Sequence, residues 1–323
     1  MPSCLTRAQF VVLCECQFVW YLERGLERKA TTHMTKPRVG VVGAGRVGAV
    51  LAARFERAHY PVVGISARSQ TSLARAQALV PHVAISNPEQ IVRSADVVVL
   101  AVPDGVLNHV VEEISPVVRA GQVVFHVSGR HGRSVLAPLE TQGVITMALH
   151  PAMTFTGTEL DVERACAFGV TAPAEAHALA ESIVVALGGT VVEIAETDRI
   201  AYHAALAHGS NHVTTVINQA LDTLRHVGAS EPAAVLRPLV EAAVSNTLAL
   251  GDQALTGPVL RGDVDTVEAH LAAFDDPETR ATYFALARAT SGRAQKMGAL
   301  DEAAGAKLDS VLTQRSIEME AGR

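Results

Sequence analysis

From Arg38 onward the chain alternates short runs of β-branched residues with longer windows in which apolar side chains recur every three or four positions. The runs are VGVVG at 39–43, VVGIS at 62–66, DVVVLAV at 96–102, QVVFHVS at 122–128 and VITMAL at 144–149. Between them lie the helix-like windows 46–58, 69–79 and 106–118. Strands of almost unbroken Val and Ile are apolar on both faces, which predicts a parallel sheet covered on each side by crossover helices. One more strand–helix–strand unit follows over 168–196, with Pro173 at the helix start and Gly188-Gly189 at its stop.

Beyond Thr197 the β pattern disappears. Thr197 or Asp198 can cap a single long helix over 199–227 that Gly228 ends. Its apolar face includes Ile200, Ala204, Val216 and Leu224, while His208, Asn211, Thr215 and Asn218 share another face. Further helical windows cover 233–250, 277–290 and 301–315. The pattern therefore predicts an α/β fold class: a Rossmann-like parallel-sheet N-terminal domain over 36–197, followed by an all-helical C-terminal domain over 198–323. Residues 1–35 precede the pattern and are expected to be a poorly ordered extension.

Composition narrows the function. A chain of 323 residues with 49% hydrophobic and 19% charged positions can bury the cores of two domains. Its net charge of -6 and the lack of any long Lys/Arg run argue against nucleic acid as a partner. Of four cysteines, Cys4, Cys14 and Cys16 cluster near the start and Cys166 stands alone, so neither a disulfide framework nor a four-ligand metal site is expected, and a reducing cytoplasm is. The apolar segment 8–22 is interrupted by Glu15 and has no small-residue cleavage site after it, so neither a signal peptide nor a membrane anchor is expected.

The sharpest motif is Gly43-Ala44-Gly45-Arg46-Val47-Gly48, a GxGxxG between a strand and a helix. Gly43 permits the tight turn, Gly45 lets backbone approach a pyrophosphate, and Gly48 lets the helix pack on the sheet. The second strand ends in Ser66-Ala67-Arg68-Ser69, where an NAD site usually has Asp or Glu. An Arg with nearby hydroxyls suits a ribose 2′-phosphate, so the expected cofactor is NADP(H); a solvated Arg68 is the bland alternative. Ala101, Val102 and Pro103 after the third strand, and Ser128 after the fourth, are expected to line the nicotinamide half of the site. His150 ends the next strand and Pro151 fixes its direction, which either delivers the ring to the cofactor pocket or caps the sheet.

In the helical half, Asn211 beside the mid-helix Gly209 is a candidate substrate contact, or else part of a structural polar network. His208 and His212 stand at a metal-compatible spacing without an evident third ligand, so no metal is expected. In 256-TGPVLRGDVDTVEAHL-271, Arg261 can bind a carboxylate and Asp263 can orient a substrate hydroxyl or a histidine, or else the cluster is a loop salt bridge with a helix cap. Asp265 with Glu268 can form a capping box for the helix that holds His270.

The stretches 39-VGVVGAGRVG-48, 148-ALHPAMTF-155, 202-YHAALAHGSNHVTTV-216 and 255-LTGPVLRGDVDTVEAHL-271 resemble bacterial proteins with an N-terminal Rossmann-like NADP-oxidoreductase domain and a C-terminal helical domain of unassigned function. That family is similar, more distantly, to ketopantoate, pyrroline-5-carboxylate and deazaflavin-linked NADP reductases. The resemblance implies an NADPH-linked reduction of a small carbonyl or imine substrate, such as a keto acid, in an interdomain cleft, and a homodimer formed through the helical domain. It matches Asn211 to a keto-acid-holding asparagine, but Ala207 stands where ketopantoate reductases carry a lysine acid. His150, His208 or His203 is then left to supply the proton. The rival expectation is an NADP(H)-binding regulatory protein without turnover.

Overall fold

The computed structural model describes residues 36–321, with side chains through Thr313; the expected extension over 1–35 lies outside the described residues. The β-branched runs form β1 (Val39–Val42), β2 (Val62–Ile65), β3 (Val97–Leu100), β4 (Val123–His126), β5 (Ile145–Pro151), β6 (Ala167–Thr171) and β7 (Thr190–Glu193). They make one sheet in the order β2-β1-β3-β4-β5-β6-β7. Strands β1 to β5 are parallel to their neighbours, as the pattern predicts. Helices α1 (Arg46–Arg57), α2 (Gln70–Leu79), α3 (Pro88–Ser94), α4 (Asp104–Ile114) and the short α5 (Ala137–Glu140) connect them.

Alternation along a strand sends successive side chains to opposite faces. Val97 and Val99 of β3 accordingly join a core with Leu51, Phe55 and Phe125, while Val98 and Leu100 join a second core with Ile91, Leu107 and Ile114. The sheet is thus covered on both faces, which is why its strands lack polar alternation.

One step departs from the expected pattern: β6 pairs with β5 antiparallel, and β7 then runs parallel to β6 after α6 (His177–Ala186). A parallel return needs a long crossover, usually helical. The connection over 152–166 instead folds into a loop around the buried Asp161. That carboxylate accepts the Thr156 and Gly157 N–H groups, each at 2.7 Å, and the buried Arg54 donates to the Asp161 carbonyl at 2.6 Å.

The chain divides into two compact units between Ala207 and His208. Helix α7 (Arg199–Ala207) belongs to the sheet unit, to which the Arg199 side chain ties it. The expected uninterrupted helix over 199–227 is broken by a π turn, His208–His212, before α8 (Val213–His226) begins. Gly209 and its polar neighbours are weak helix formers, and a π turn is one way such a run is accommodated.

The helical unit continues with α9 (Pro232–Leu250), α10 (Val264–Ala273), α11 (Pro277–Lys296) and α12 (Glu302–Ala321). Its core gathers Val267, Leu271, Ala294, Leu300, Leu308 and Leu312 from the last three helices and the turn before α12. Helices α8 and α9 contribute no buried residue. Leu239 is 66% exposed and Leu248 84%. The segment Pro232–Ala254 is long and apolar enough to cross a membrane by length and composition.

Candidate active site

The Gly-rich turn is built by steric necessity. Gly43 has φ +108°, and a Cβ on it would lie 2.5 Å from the Ala101 carbonyl oxygen. A Cβ on Gly48 would lie 1.9 Å from the Gly43 carbonyl, so the start of α1 packs directly on the turn. Gly45 is the N-cap of α1 and offers no side-chain acceptor, and the first turn holds no acidic residue. The N–H groups of Arg46, Val47 and Gly48 therefore meet the requirements of an anion-binding helix start.

Ser66 and Ser69 are engaged locally. The Ser66 hydroxyl accepts the Gly43 N–H at 2.9 Å, tying the end of β2 to the turn. Ser69 caps α2 in a reciprocal pair with Ser72. Arg68, between them, extends into solvent 3.4 Å from Glu113. Arg75, which the sequence reading did not single out, donates from α2 to the Ala44 carbonyl at 3.3 Å and so lies against the Gly-rich turn.

Because β1, β3, β4 and β5 are parallel, their carboxyl ends share one edge of the sheet. Ala101, Val102 and Pro103 leave β3 there, and α4 begins at Asp104. At the end of β4 the fully buried His126 donates from Nε2 to the Gly132 carbonyl at 2.8 Å and accepts the Ser128 N–H on Nδ1 at 3.2 Å. These two bonds fix its tautomer and hold the loop that carries Ser128 and Gly129. Burial lowers its pKa to about 4, so the ring is neutral at neutral pH.

His150 stands at the same edge, at the end of β5. Its Nδ1 lies 3.0 Å from the Tyr202 hydroxyl, and its ring meets those of Tyr202 and His203 edge-on at 5.6 and 5.9 Å. Gly129 leaves the room these rings need: a Cβ there would be 2.5 Å from His203 Cδ2 and 3.0 Å from His150 Nε2. Burial, reinforced by His203 and Arg199, lowers His150 to about 4. Burial pushes the Tyr202 phenol up, while the Arg199 charge and the Gly169 backbone pull it down.

Arg199 completes the cluster from below. Its Nη2 donates to the Ala148 and Gly169 carbonyls at 2.7 and 3.1 Å, and its Nε to Thr171 Oγ1 at 2.7 Å. Nη1 is buried without a hydrogen-bond partner, and the guanidinium carbon lies 6.0 Å from the Tyr202 ring centre. Tyr202, Arg199 and His126 were not among the residues expected from sequence. The available signal was Arg199-x-x-Tyr202-His203 at the head of the long helix, where the first helical turn puts the phenol and the guanidinium on one face.

The remaining candidates lie in the helical unit. On the π turn, His208 and His212 bring their Nδ1 atoms to 2.9 Å, so one hydrogen is shared between two exposed rings. Among the described residues no group of three or more His, Cys, Asp or Glu could hold a metal ion. Asn211, on the same turn, accepts the Ser210 hydroxyl at 3.1 Å. Asp263 is the N-cap of α10, accepting the Thr266 N–H at 3.1 Å and its hydroxyl at 2.7 Å. It thereby replaces the expected Asp265–Glu268 capping box, because Asp263 is the residue that precedes the first helical turn. Arg261 is exposed in the loop before it.

A cavity of about 780 Å³ opens at the other edge of the sheet, where β5 begins, and is lined by Arg133, Thr171, Glu193 and Glu196 among others. Its main polar groups are paired with one another: Glu196 accepts the Arg133 and Ser134 N–H groups, and Arg133 bonds Glu140.

Comparison with known proteins agrees with this architecture. Residues 25–151 match the family described as a Rossmann-like domain, and residues 166–290 match a domain of unknown function, DUF2520. Among solved structures, a candidate NADP oxidoreductase from Bacteroides fragilis superposes with a TM-score of 0.69 at 21% identity, over 79% of this chain and 98% of that one. A variant imine reductase from Myxococcus stipitatus in complex with NAD+ gives 0.55 at 18%, over 85% and 99%. The pyrroline carboxylate reductase of Plasmodium falciparum with NADP bound gives 0.53 at 16%, over 82% and 100%. No curated protein matches the chain by sequence.

Proposed function

For a chain with the Rossmann-like oxidoreductase fold followed by an all-helical domain, we propose the function of an NADP(H)-dependent reductase acting on a small carbonyl or imine compound. One observation carries the proposal. The uncapped start of α1 behind Gly43–Gly48 and the His150–Tyr202 pair occupy the same edge of the sheet, at the carboxyl ends of its parallel strands β1 to β5. Ligands of open α/β sheets bind along this edge, near the reversal of strand order between β1 and β3.

The residues present fit the cofactor. The Gly45–Gly48 backbone would hold the pyrophosphate, in a turn that any side chain at Gly43 or Gly48 would distort. Arg68 would meet the 2′-phosphate, with the hydroxyls of Ser66 and Ser69 helping indirectly, by holding the turn and the start of α2. When bound, NADPH supplies a hydride to the carbon of the C=O or C=N bond. The chain's own task is to order the substrate beside Ser128 and Gly129 and to provide a proton for the oxygen or nitrogen that becomes basic. The proposed substrate is small, with a carboxylate as its favoured substituent.

We also propose a homodimer formed through the helical unit. The apolar, exposed α9 needs a cover, and the Arg237–Glu241 pair in its middle fits a protein interface better than a bilayer, where each such charge costs about 3 kcal/mol.

The test is NADPH oxidation, followed at 340 nm, over a panel of cyclic imines and 2-keto acids, alongside NADPH binding by fluorescence. Binding with turnover of at least one class is expected. Binding with no turnover by any of them leaves an NADP(H)-binding protein rather than a reductase.

A further inference from the structure

The sequence left the proton to a histidine, but the geometry at the sheet edge favours a different group. His126 is locked by two hydrogen bonds and has no free nitrogen. His150 has only its Nε2 side open towards Gly129, and His203 makes ring contact with His150. The Tyr202 hydroxyl is the polar hydrogen of this cluster that can be both held and replaced: His150 Nδ1 lies 3.0 Å away, the Gly169 N–H donates to the phenol oxygen, and a buried cation lies beneath its ring.

Resting on the proposed reductase reading, we propose that Tyr202 is the proton donor, with His150 as its positioning partner in the Nδ1–H tautomer and Arg199 as the charge that stabilises the phenolate. In that tautomer His150 donates to the phenol oxygen, which leaves the Tyr202 O–H hydrogen free to point at the substrate. As the C–H bond forms at the substrate carbon, the π electrons of C=N or C=O move onto the heteroatom. The Tyr202 O–H bond breaks, its hydrogen forms the new N–H or O–H bond, and the electron pair stays on the phenol oxygen. That oxygen keeps the His150 N–H and lies above Arg199, and it regains a proton from water between turnovers.

Three features make this arrangement more than a packed tyrosine. Gly169 has no side chain where the phenol sits: a Cβ there would be 2.5 Å from the hydroxyl oxygen. Gly129 makes the same allowance for the two imidazoles. Arg199 is a buried guanidinium bonded to neutral groups, with both N–H groups of Nη1 unmet, and an unpaired buried charge is costly unless something negative forms beside it. The other charged or titratable groups acting on the pair are His126, His203, Asp104 and Cys166, and Arg199 is the cation that acts on both rings.

Tyr202→Phe removes one oxygen and keeps the ring. With any substrate that the wild-type protein turns over, it is expected to lower kcat by about 100-fold, the usual worth of a positioned acid. NADPH affinity should be unchanged, and the alkaline limb of the kcat–pH profile should vanish. His150→Asn keeps a donor at the Nδ1 position and should retain most of the activity; His150→Leu should lose it and move the alkaline limb. Nitrogen-15 NMR of the imidazoles should show the His150 Nδ1–H tautomer in the wild type. Wild-type turnover with an undiminished Tyr202→Phe, or with equal loss in the Asn and Leu variants, overturns the assignment and leaves the reductase reading standing. A wild-type protein that binds NADPH and turns nothing over ends both.

Discussion

His150 and Gly169 are register partners across the one antiparallel step of the sheet, and the phenol of Tyr202 occupies the place a side chain on Gly169 would take. Two consecutive strands and the head of α7 thus define a slot one aromatic ring wide. Gly169→Ala should displace the phenol from His150, because its Cβ would stand 2.5 Å from the hydroxyl oxygen. Turnover should fall by about 100-fold, the scale of a misplacement of order 1 Å, with NADPH binding retained. Stopped-flow kinetics and cofactor titration on the same preparation check both halves.

The two buried histidines make stability depend on pH. Burial holds His126 and His150 down at about 4 in the folded protein, against 6.5 for an unperturbed imidazole. Between those values the unfolded chain binds more protons, so their contribution is complete above about pH 6.5 and is lost as pH falls towards 4. The scale is roughly 3 kcal/mol per ring if the whole shift is realised. Tm should therefore drop between neutral pH and pH 4.5, and His126→Gln should flatten that dependence even if it lowers Tm throughout. Equal slopes in the two proteins would remove His126 from the explanation.

Arg68 bears on cofactor choice. Its contact with Glu113 is solvent-exposed at 3.4 Å, and such a pair contributes less than about 1 kcal/mol to stability. Arg68→Ala should leave Tm unchanged. NADPH affinity should weaken by about 10- to 100-fold, as expected for loss of a charge-assisted hydrogen bond, while NADH affinity stays constant. Parallel titrations with the two nucleotides measure the ratio, and an equal loss for both would place Arg68 outside the phosphate site.

Leu239 and Leu248 expose 66% and 84% of their surface on α9. If a second copy covers them, Leu239→Glu with Leu248→Glu should convert a dimer to a monomer in sedimentation analysis. A wild-type protein that sediments as a monomer would contradict the dimer outright. Burying one such side chain is worth about 2 kcal/mol, so the double change is large enough to read at micromolar protein.

Much of the fold could be read from the residues because both faces of the sheet are buried, so each strand reads as a bare run of Val and Ile, as β3 does. The Gly-rich turn was equally plain, since Gly43 and Gly48 fill positions no other residue can. Strand direction at β6 was not legible: it depends on a loop wrapped around Asp161, whose bonds are made to its own near neighbours. Tyr202 escaped for a related reason. Its place beside His150 depends on the β5–β6 register and on an absent side chain at Gly169, neither of which leaves a periodic signal. Asp263 admitted both a substrate contact and a helix cap because it lies among turn residues, and its carboxylate caps the first turn of α10.

Reversal of the last two strands has an evolutionary corollary. Since β7 descends where β5 ascends, α7 starts at the floor of the sheet and climbs, passing Arg199 beside Ala148 before presenting Tyr202 beside His150. The reactive group is carried like a bit on a drill shaft, and a different residue at position 202 would retool the edge without disturbing ladder, cores or nucleotide turn. Gaining or losing one residue between Arg199 and Tyr202 would instead turn the phenol by about 100° relative to the guanidinium and leave the slot empty.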